Sequence, residues 1–252
     1  MDSAGYMRGL KPPPPSELSF SQPVKSYLVT RLYLSGLLGR LGPMTYTNGS
    51  HTYQQQLLAL LARISFRLGQ FTLSSGATSD YYIDCRTTTL HAEGGRLTGH
   101  AVLDLLKEYG IEADAVGGLT MGADPIVCNV ATASAWRALE HQRLGFAGPG
   151  LIHGFLVRKA EKTHGTGRRI EGFHREGAKV VIVDDVCTTG ASTVNAIEAA
   201  QAAGMIVTAV VCLVERQEAN GRPAVEAAAG GAPFFALFTA EDVRAEHIKQ
   251  LQ

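Results

Sequence analysis

The stretch Val180–Thr193, reading Val-Val-Ile-Val-Asp-Asp-Val-Cys-Thr-Thr-Gly-Ala-Ser-Thr, restricts the fold of this chain more than any other. Four consecutive apolar β-formers bounded by turn residues predict a strand buried on both faces, and the small residues after it lead into a helix over Thr193–Ala203. In the loop Cys187–Ser192, backbone N–H groups and the hydroxyls of Thr188, Thr189 and Ser192 can converge on one concavity. The positive end of the following helix adds to it, which makes an anion site. Gly190 is expected to let the backbone approach the anion closely. Asp184 and Asp185 fall at the carboxyl end of the strand, beside this loop. A carboxylate pair repels bare phosphate, so its partners are sugar hydroxyls or a cation already chelated by the ligand. The combination reads as a site for a ribose carrying a 5′-phosphate. The alternative is an N-capped strand-to-helix turn with two solvated aspartates.

The rest of the chain alternates in the same way. Leu57, Leu61, Ile64 and Leu68 form one apolar helical stripe, expected to end at Gly69, and Phe71–Asp84 reads as two short strands around a Ser/Gly/Thr turn. Within it, one ring of Tyr81-Tyr82 either covers a flat heterocycle or simply packs in a hairpin. A helix over Ala92–Tyr109 stops before Gly110, and a strand over Ala115–Gly118 enters the glycine-rich turn Gly117–Pro125, with Pro125 in the first turn of the next helix. These glycines are expected to admit a ligand such as a diphosphate. Trp136–Gly150 reads as a helix end and a long connection, and Leu151–Val157 as a strand. A near-continuous apolar strand over Ile206–Val214 ends at Glu215-Arg216. There Arg216 either clamps a carboxylate or pairs with Glu215 or Glu218 at the surface. Arg222–Ala229 is helical, Phe234–Phe238 a last strand, and Ala240–Leu251 a closing helix capped by Thr239. Such alternation predicts an α/β fold with a mostly parallel central sheet flanked by helices.

The densest charge lies in Arg158-Lys-Ala-Glu-Lys-Thr-His-Gly-Thr-Gly-Arg-Arg-Ile-Glu-Gly172, directly after a strand. It is either a solvated loop or a cationic segment placed where a diphosphate would lie. The chain as a whole has a formal net charge of zero, which argues against a general nucleic-acid binder, so any basic site is local. No apolar run reaches the roughly 20 residues of a membrane span, and Val24–Leu41 is broken by Arg31 and closed by Pro43. The cysteines Cys85, Cys128, Cys187 and Cys212 form no CxxC pair; reduced thiols in the cytoplasm and no zinc site are expected, with the last three buried. Cys187 reads as a small filler, since no histidine is near it in sequence. Residues 1–43, with the run Pro12–Pro15 and few acids, are expected to be a disordered or non-native leader, Met44 being an alternative start. Residues 44–252 would then form a single domain.

Four of these segments, Phe71–Asp84, Gly117–Pro125, Arg158–Gly172 and Val180–Thr193, occur in the order found in the orotate phosphoribosyltransferases. The chain resembles that branch of the type I phosphoribosyltransferases from roughly Thr52 to Arg216. The Arg-Lys-x-x-Lys-x-His-Gly loop is the most specific part. The resemblance implies the type I fold with a small N-terminal hood, mainly over residues 52–90. It also implies transfer of the phosphoribosyl group of 5-phosphoribosyl 1-pyrophosphate (PRPP) to orotate in pyrimidine biosynthesis, with Mg²⁺ carried by PRPP rather than by a direct protein ligand. It further implies a homodimer in which the basic loop reaches the neighbour's site, and no nucleic-acid or membrane partner. By the same resemblance Arg158, Lys159, Lys162 and His164 contact the pyrophosphate, and Asp184 and Asp185 the ribose hydroxyls. The 5′-phosphate falls to Cys187, Thr188, Thr189, Gly190, Ala191 and Ser192, and Val186 is a further PRPP-binding residue. Thr188 and Arg216 hold orotate, Tyr82 and Ile83 lie along the base, and Gly118–Met121 line the pyrophosphate pocket. Lys162, His164, Asp184 and Asp185 are the implied catalytic residues. Ser74 and Gly122 stand where some members have lysine. The rival class is a regulator that keeps the PRPP site as a sensor and has no need of the cationic loop.

Overall fold

The structure, a computed structural model, describes residues 52–72, 78–159 and 169–252, all within the unit Gly49–Gln252. Helix α1 (Tyr53–Ile64) opens with a reciprocal cap: the Thr52 hydroxyl accepts from the Gln55 amide, and the Gln55 side chain accepts from the Thr52 amide. Its buried stripe is Leu57, Leu60 and Leu61. The helix ends at Ile64 and not at Gly69, and Leu68 is exposed on strand β1 (Phe66–Thr72). The cause is Ser65. Its buried hydroxyl bonds the Thr87 and Thr88 hydroxyls at 2.7 and 2.6 Å, and its carbonyl accepts from the Asp84 amide at 3.0 Å, so the chain is drawn into pairing. Strand β2 (Thr78–Ile83) runs antiparallel to β1, with Leu68 opposite Tyr81. The period of two buries Tyr81 and leaves Tyr82 exposed.

The short helix α2 (Arg86–Thr89) and α3 (Ala92–Glu108) lead to the main sheet. Its elements follow as β3 (Ala115–Leu119), α4 (Asp124–Arg143), β4 (His153–Val157), β5 (Ile170–Gly172), β6 (Lys179–Cys187), α5 (Ala191–Ala202), β7 (Ile206–Glu215), α6 (Arg222–Ala229), β8 (Phe234–Thr239) and α7 (Ala240–Gln250). The six strands lie in the order β5-β4-β3-β6-β7-β8, all parallel except β5 on β4. Strand β6 explains the continuous apolar run. Val181 and Val183 pack into one core with Leu57, Leu97, Ile126 and Val243, while Val180 and Ile182 pack into the other with Ile197 and Val225. Helices α1, α3, α4 and α7 thus cover one face and α5 and α6 the other. Each such side chain contributes roughly 1.5–3 kcal/mol by leaving water.

Three further expectations change. Helix α4 runs well past Trp136, through Arg143, because nothing breaks it before Gly145 at φ 81°. Cys128 is exposed on that helix, whereas Cys187 and Cys212 are buried. Strand β5 was not foreseen, since a three-residue edge strand carries too short a pattern to read. The chain visits β3, β4 and β5 outward on one side, then returns to build β6, β7 and β8 on the other. The order reverses between β3 and β6, and a crevice opens at their carboxyl ends.

Candidate active site

That crevice is a cleft of about 350 Å³ whose walls come from the ends of β2, β3, β4, β6 and β7. Strand β6 brings the acid pair to its floor. Asp184 is only 6% exposed; its Oδ2 accepts from the Thr193 hydroxyl at 2.6 Å and its Oδ1 from the Asp185 amide at 3.0 Å. Burial pushes its carboxyl up to about 7 despite these bonds. Asp185 is also raised by burial, with the Val186 amide and the charge of Arg86 opposing the shift. Asp185 is the more accessible of the two and Asp184 the more firmly held.

The loop after β6 makes the anion seat. Gly190 caps α5 in the left-handed region at φ 78°, and a Cβ there would come within 2.9 Å of the Gly221 carbonyl and 2.7 Å of Val225 Cγ2. The glycine is therefore demanded by the turn and by packing against the start of α6, not only by ligand approach. Helices α1 and α7 have capping boxes, but α5 has no side-chain cap, and the hydroxyl of Thr193 is spent on Asp184. The first-turn amides of α5 thus keep their donors for a ligand at the positive helix end. Val186, Thr188 and Ser192 line the cleft, whereas Cys187, Thr189, Gly190 and Ala191 do not. The Cys187 thiol, buried and pushed up to about 11, stays protonated at neutral pH, which suits a filler.

On the β3 side the turn Leu119–Gly122 lines the cleft. The Thr120 amide donates to the Val157 carbonyl at 2.9 Å and its hydroxyl to Asp124 Oδ2 at 2.7 Å, so the turn is fixed to β4 and α4. Gly118, expected to admit a ligand, instead admits β6: a Cβ there would overlap the Val183 carbonyl.

Arg216, just after β7, stands at the far wall with an 11% exposed side chain. Its Nε donates to Tyr81 Oη at 2.9 Å and Glu218 Oε1 at 3.0 Å, its Nη2 to Ser79 Oγ at 3.3 Å, and its guanidinium lies 4.6 Å from the centre of the Tyr81 ring. Tyr81 Oη bonds Glu218 in turn, and burial together with that carboxylate pushes the phenol up to about 12. The fork is held on one edge, and among the described residues Nη1 has no partner. The surface pairing weighed for Arg216 is real, with Glu218; Glu215 pairs instead with Arg222 at 2.5 Å. Tyr82 and Ile83 line the cleft nearby.

The basic segment starts and ends beside the cleft. The Arg158 amide donates to the Arg169 carbonyl at 2.9 Å, continuing the β4–β5 ladder, and Lys159 lines the cleft. Arg158 pairs with Glu171 at 3.4 Å and does not line it. Lys162 and His164 lie outside the described residues, as do Ser74 and residues 1–51.

Sequence reasoning missed Asp84, Arg86, Ser79 and the part played by Tyr81. The tyrosine pair was a visible signal; for Arg86 the only one was a cation close after the hairpin, and nothing local marked it.

Comparison with known proteins meets this geometry. No family model matches the chain. It is 40% identical over 184 residues to an orotate phosphoribosyltransferase of Rhodopirellula baltica, covering 71% of this chain and 84% of that one. It is 42% identical over 193 residues to the enzyme of that name from Thermosynechococcus vestitus, covering 76% and 93%. Among solved structures, the Mycobacterium tuberculosis orotate phosphoribosyltransferase in complex with PRPP superposes with a TM-score of 0.58 at 30% identity, covering 76% of this chain and 99% of that one. With its sheet order, crevice and acid pair already in view, this degree of identity over most of its length shows that the chain belongs to the orotate phosphoribosyltransferase family.

Proposed function

We propose that this cleft transfers the 5-phosphoribosyl group of PRPP to orotate, giving orotidine 5′-phosphate and pyrophosphate, in pyrimidine nucleotide synthesis. The observation that carries the reading is the meeting in one crevice of an uncapped helix start, an acid pair and a braced arginine. The amides of Ala191–Thr193, with Thr188 and Ser192, seat the 5′-phosphate. Asp184 and Asp185 take the ribose hydroxyls. Orotate lies along Tyr82 and Ile83, with its carboxylate on Arg216 and Thr188, which separates it from uracil.

The C1–O bond breaks with its electron pair leaving on pyrophosphate, and N1 of orotate, giving up its proton, bonds to C1. Positive charge grows on the ribose ring and negative charge on the departing oxygen, so fixed cations at that oxygen favour the transition state over the ground state. Lys162 and His164 are assigned to it, His164 as the candidate general acid, and Arg158 and Lys159 to contacts with the pyrophosphate. The donors present fit a magnesium ion arriving on PRPP. The acid pair lining the cleft offers hard carboxylate oxygens to such an ion. When bound, magnesium supplies neutralisation of the diphosphate charge.

We also assign residues 52–90 as a hood over the site, a homodimer in which the basic segment serves the neighbouring subunit, and a cytoplasmic location. The unpaired state of all four cysteines supports the last. No helix among the described residues is long and apolar enough to cross a membrane. Mixing the protein with PRPP and Mg²⁺ and each of orotate, uracil, adenine and hypoxanthine tests the reaction. Orotate alone should be consumed; turnover of another base in its place would refute the assignment.

A further inference from the structure

A diphosphate brings several negative charges into a cleft that already holds two buried carboxylates, so the wall it leans on needs a cation of its own. The turn Leu119–Gly122 carries none, and a Cβ at Gly122 would meet Asp185 Oδ1 at 2.4 Å, so a side chain there requires that carboxylate to shift. Among the described residues lining the cleft, the cations are Arg86, Lys159 and Arg216. Arg216 is braced at the base wall by Tyr81, Ser79 and Glu218.

Arg86 stands differently. Its Nε and Nη2 donate to Asp84 Oδ1 and Oδ2 at 2.8 and 2.9 Å, a two-pronged clamp that fixes the guanidinium plane. The Arg86 amide also donates to Asp84 Oδ1 at 3.1 Å, so the pair is tied to the start of α2. The side chain remains 43% exposed, and among the described residues Nη1 has no hydrogen-bond partner. With Met121 it lines both this cleft and an adjoining one, and its charge reaches Asp185.

Resting on the reading above, we propose that Arg86 is a diphosphate-binding residue of this site: clamped by Asp84, it offers the free edge of its fork to the phosphate oxygens beside the Thr120–Gly122 turn. Asp84 is then a positioning residue. The pair supplies, from the hairpin side, a fixed cation that the turn of this chain does not carry, and it acts on the ground-state ligand as well as on the departing group.

The test is Arg86→Gln in the full chain, with affinities for magnesium diphosphate and for orotidine 5′-phosphate measured by calorimetry and thermal melting recorded alongside. Loss of a charged, bidentate donor should weaken diphosphate roughly 10- to 100-fold while orotidine 5′-phosphate changes much less. A purely structural ion pair, or an effect routed through the acid pair, would move both ligands together; that result, or unchanged diphosphate affinity, overturns the proposal. If Arg86→Gln does not melt like the parent, Arg86→Lys takes its place. It keeps the charge without the fork and should still lose diphosphate affinity selectively; an unchanged affinity overturns the proposal again. A parent protein that binds neither ligand and consumes no orotate would instead sink the underlying reading.

Discussion

Replacing Asp184 by asparagine should make the protein more stable relative to the parent as pH rises, at the cost of its chemistry. The carboxyl sits at about 7 when folded against an ordinary value of 3.8, so the folded chain holds this proton through a window where the unfolded chain has lost it. With more protons bound in the folded state, stability falls as pH climbs from about 4 to 7 and the full penalty remains above that. From those two values the penalty is about 2 kcal/mol at pH 5 and about 4 kcal/mol at pH 8. Asparagine keeps the geometry: its oxygen can accept from the Asp185 amide, and its amide can donate to the Thr193 hydroxyl. The charge-assisted part of those bonds exists only where the parent carboxyl is ionised, and it is already contained in the value of about 7. Denaturant titrations at fixed protein concentration, without ligand or metal, at pH 5, 6, 7 and 8 give the difference directly. The stability gap in favour of the variant should widen by roughly 2–3 kcal/mol across that range. A gap that stays flat, or closes with rising pH, would refute the claim that burial of an ionised Asp184 strains the fold. Turnover should fall in the same variant, because the neutral amide no longer holds the ribose hydroxyls as the carboxylate does.

Other consequences are equally concrete. Tyr81→Phe removes one of the braces on Arg216 and should raise KM for orotate several-fold, with KM for PRPP unmoved; equal shifts in both would discount the bracing. Lys162→Ala should lower turnover by orders of magnitude while the melting profile is kept, and near-normal activity would dismiss the leaving-group assignment. Gly190→Ala forces a left-handed residue against Gly221 and Val225, and should cost roughly 1–3 kcal/mol in denaturant titration; a neutral effect would mean the turn has slack.

How much of this could be read from residues alone depended on whether the signal was local. The run from Val180 carried the buried strand because covering both faces of a sheet leaves a mark every residue shows, and Gly110, Pro125 and Thr239 marked helix ends by their own chemistry. Ser65 was different. Its role rests on hydroxyls more than twenty residues away, so the stripe ran on past the true end of α1 and took in Leu68. The acid pair and the loop after it were legible for the same local reason. The brace on Arg216 was not, since Ser79 and Tyr81 meet it only when the hairpin folds over the end of β7. Gly118 and Gly190 were visible as glycines, but a sequence cannot say whether the space they leave belongs to a ligand or to a neighbouring carbonyl.

The arrangement of the cleft is tested most directly by a crystal structure of the protein with orotidine 5′-phosphate bound. The account predicts the phosphate over the amides of Ala191–Thr193, the ribose hydroxyls on Asp184 and Asp185, and the base carboxylate on the guanidinium of Arg216. A nucleotide lying the other way round, or with its carboxylate turned away from Arg216, would contradict it.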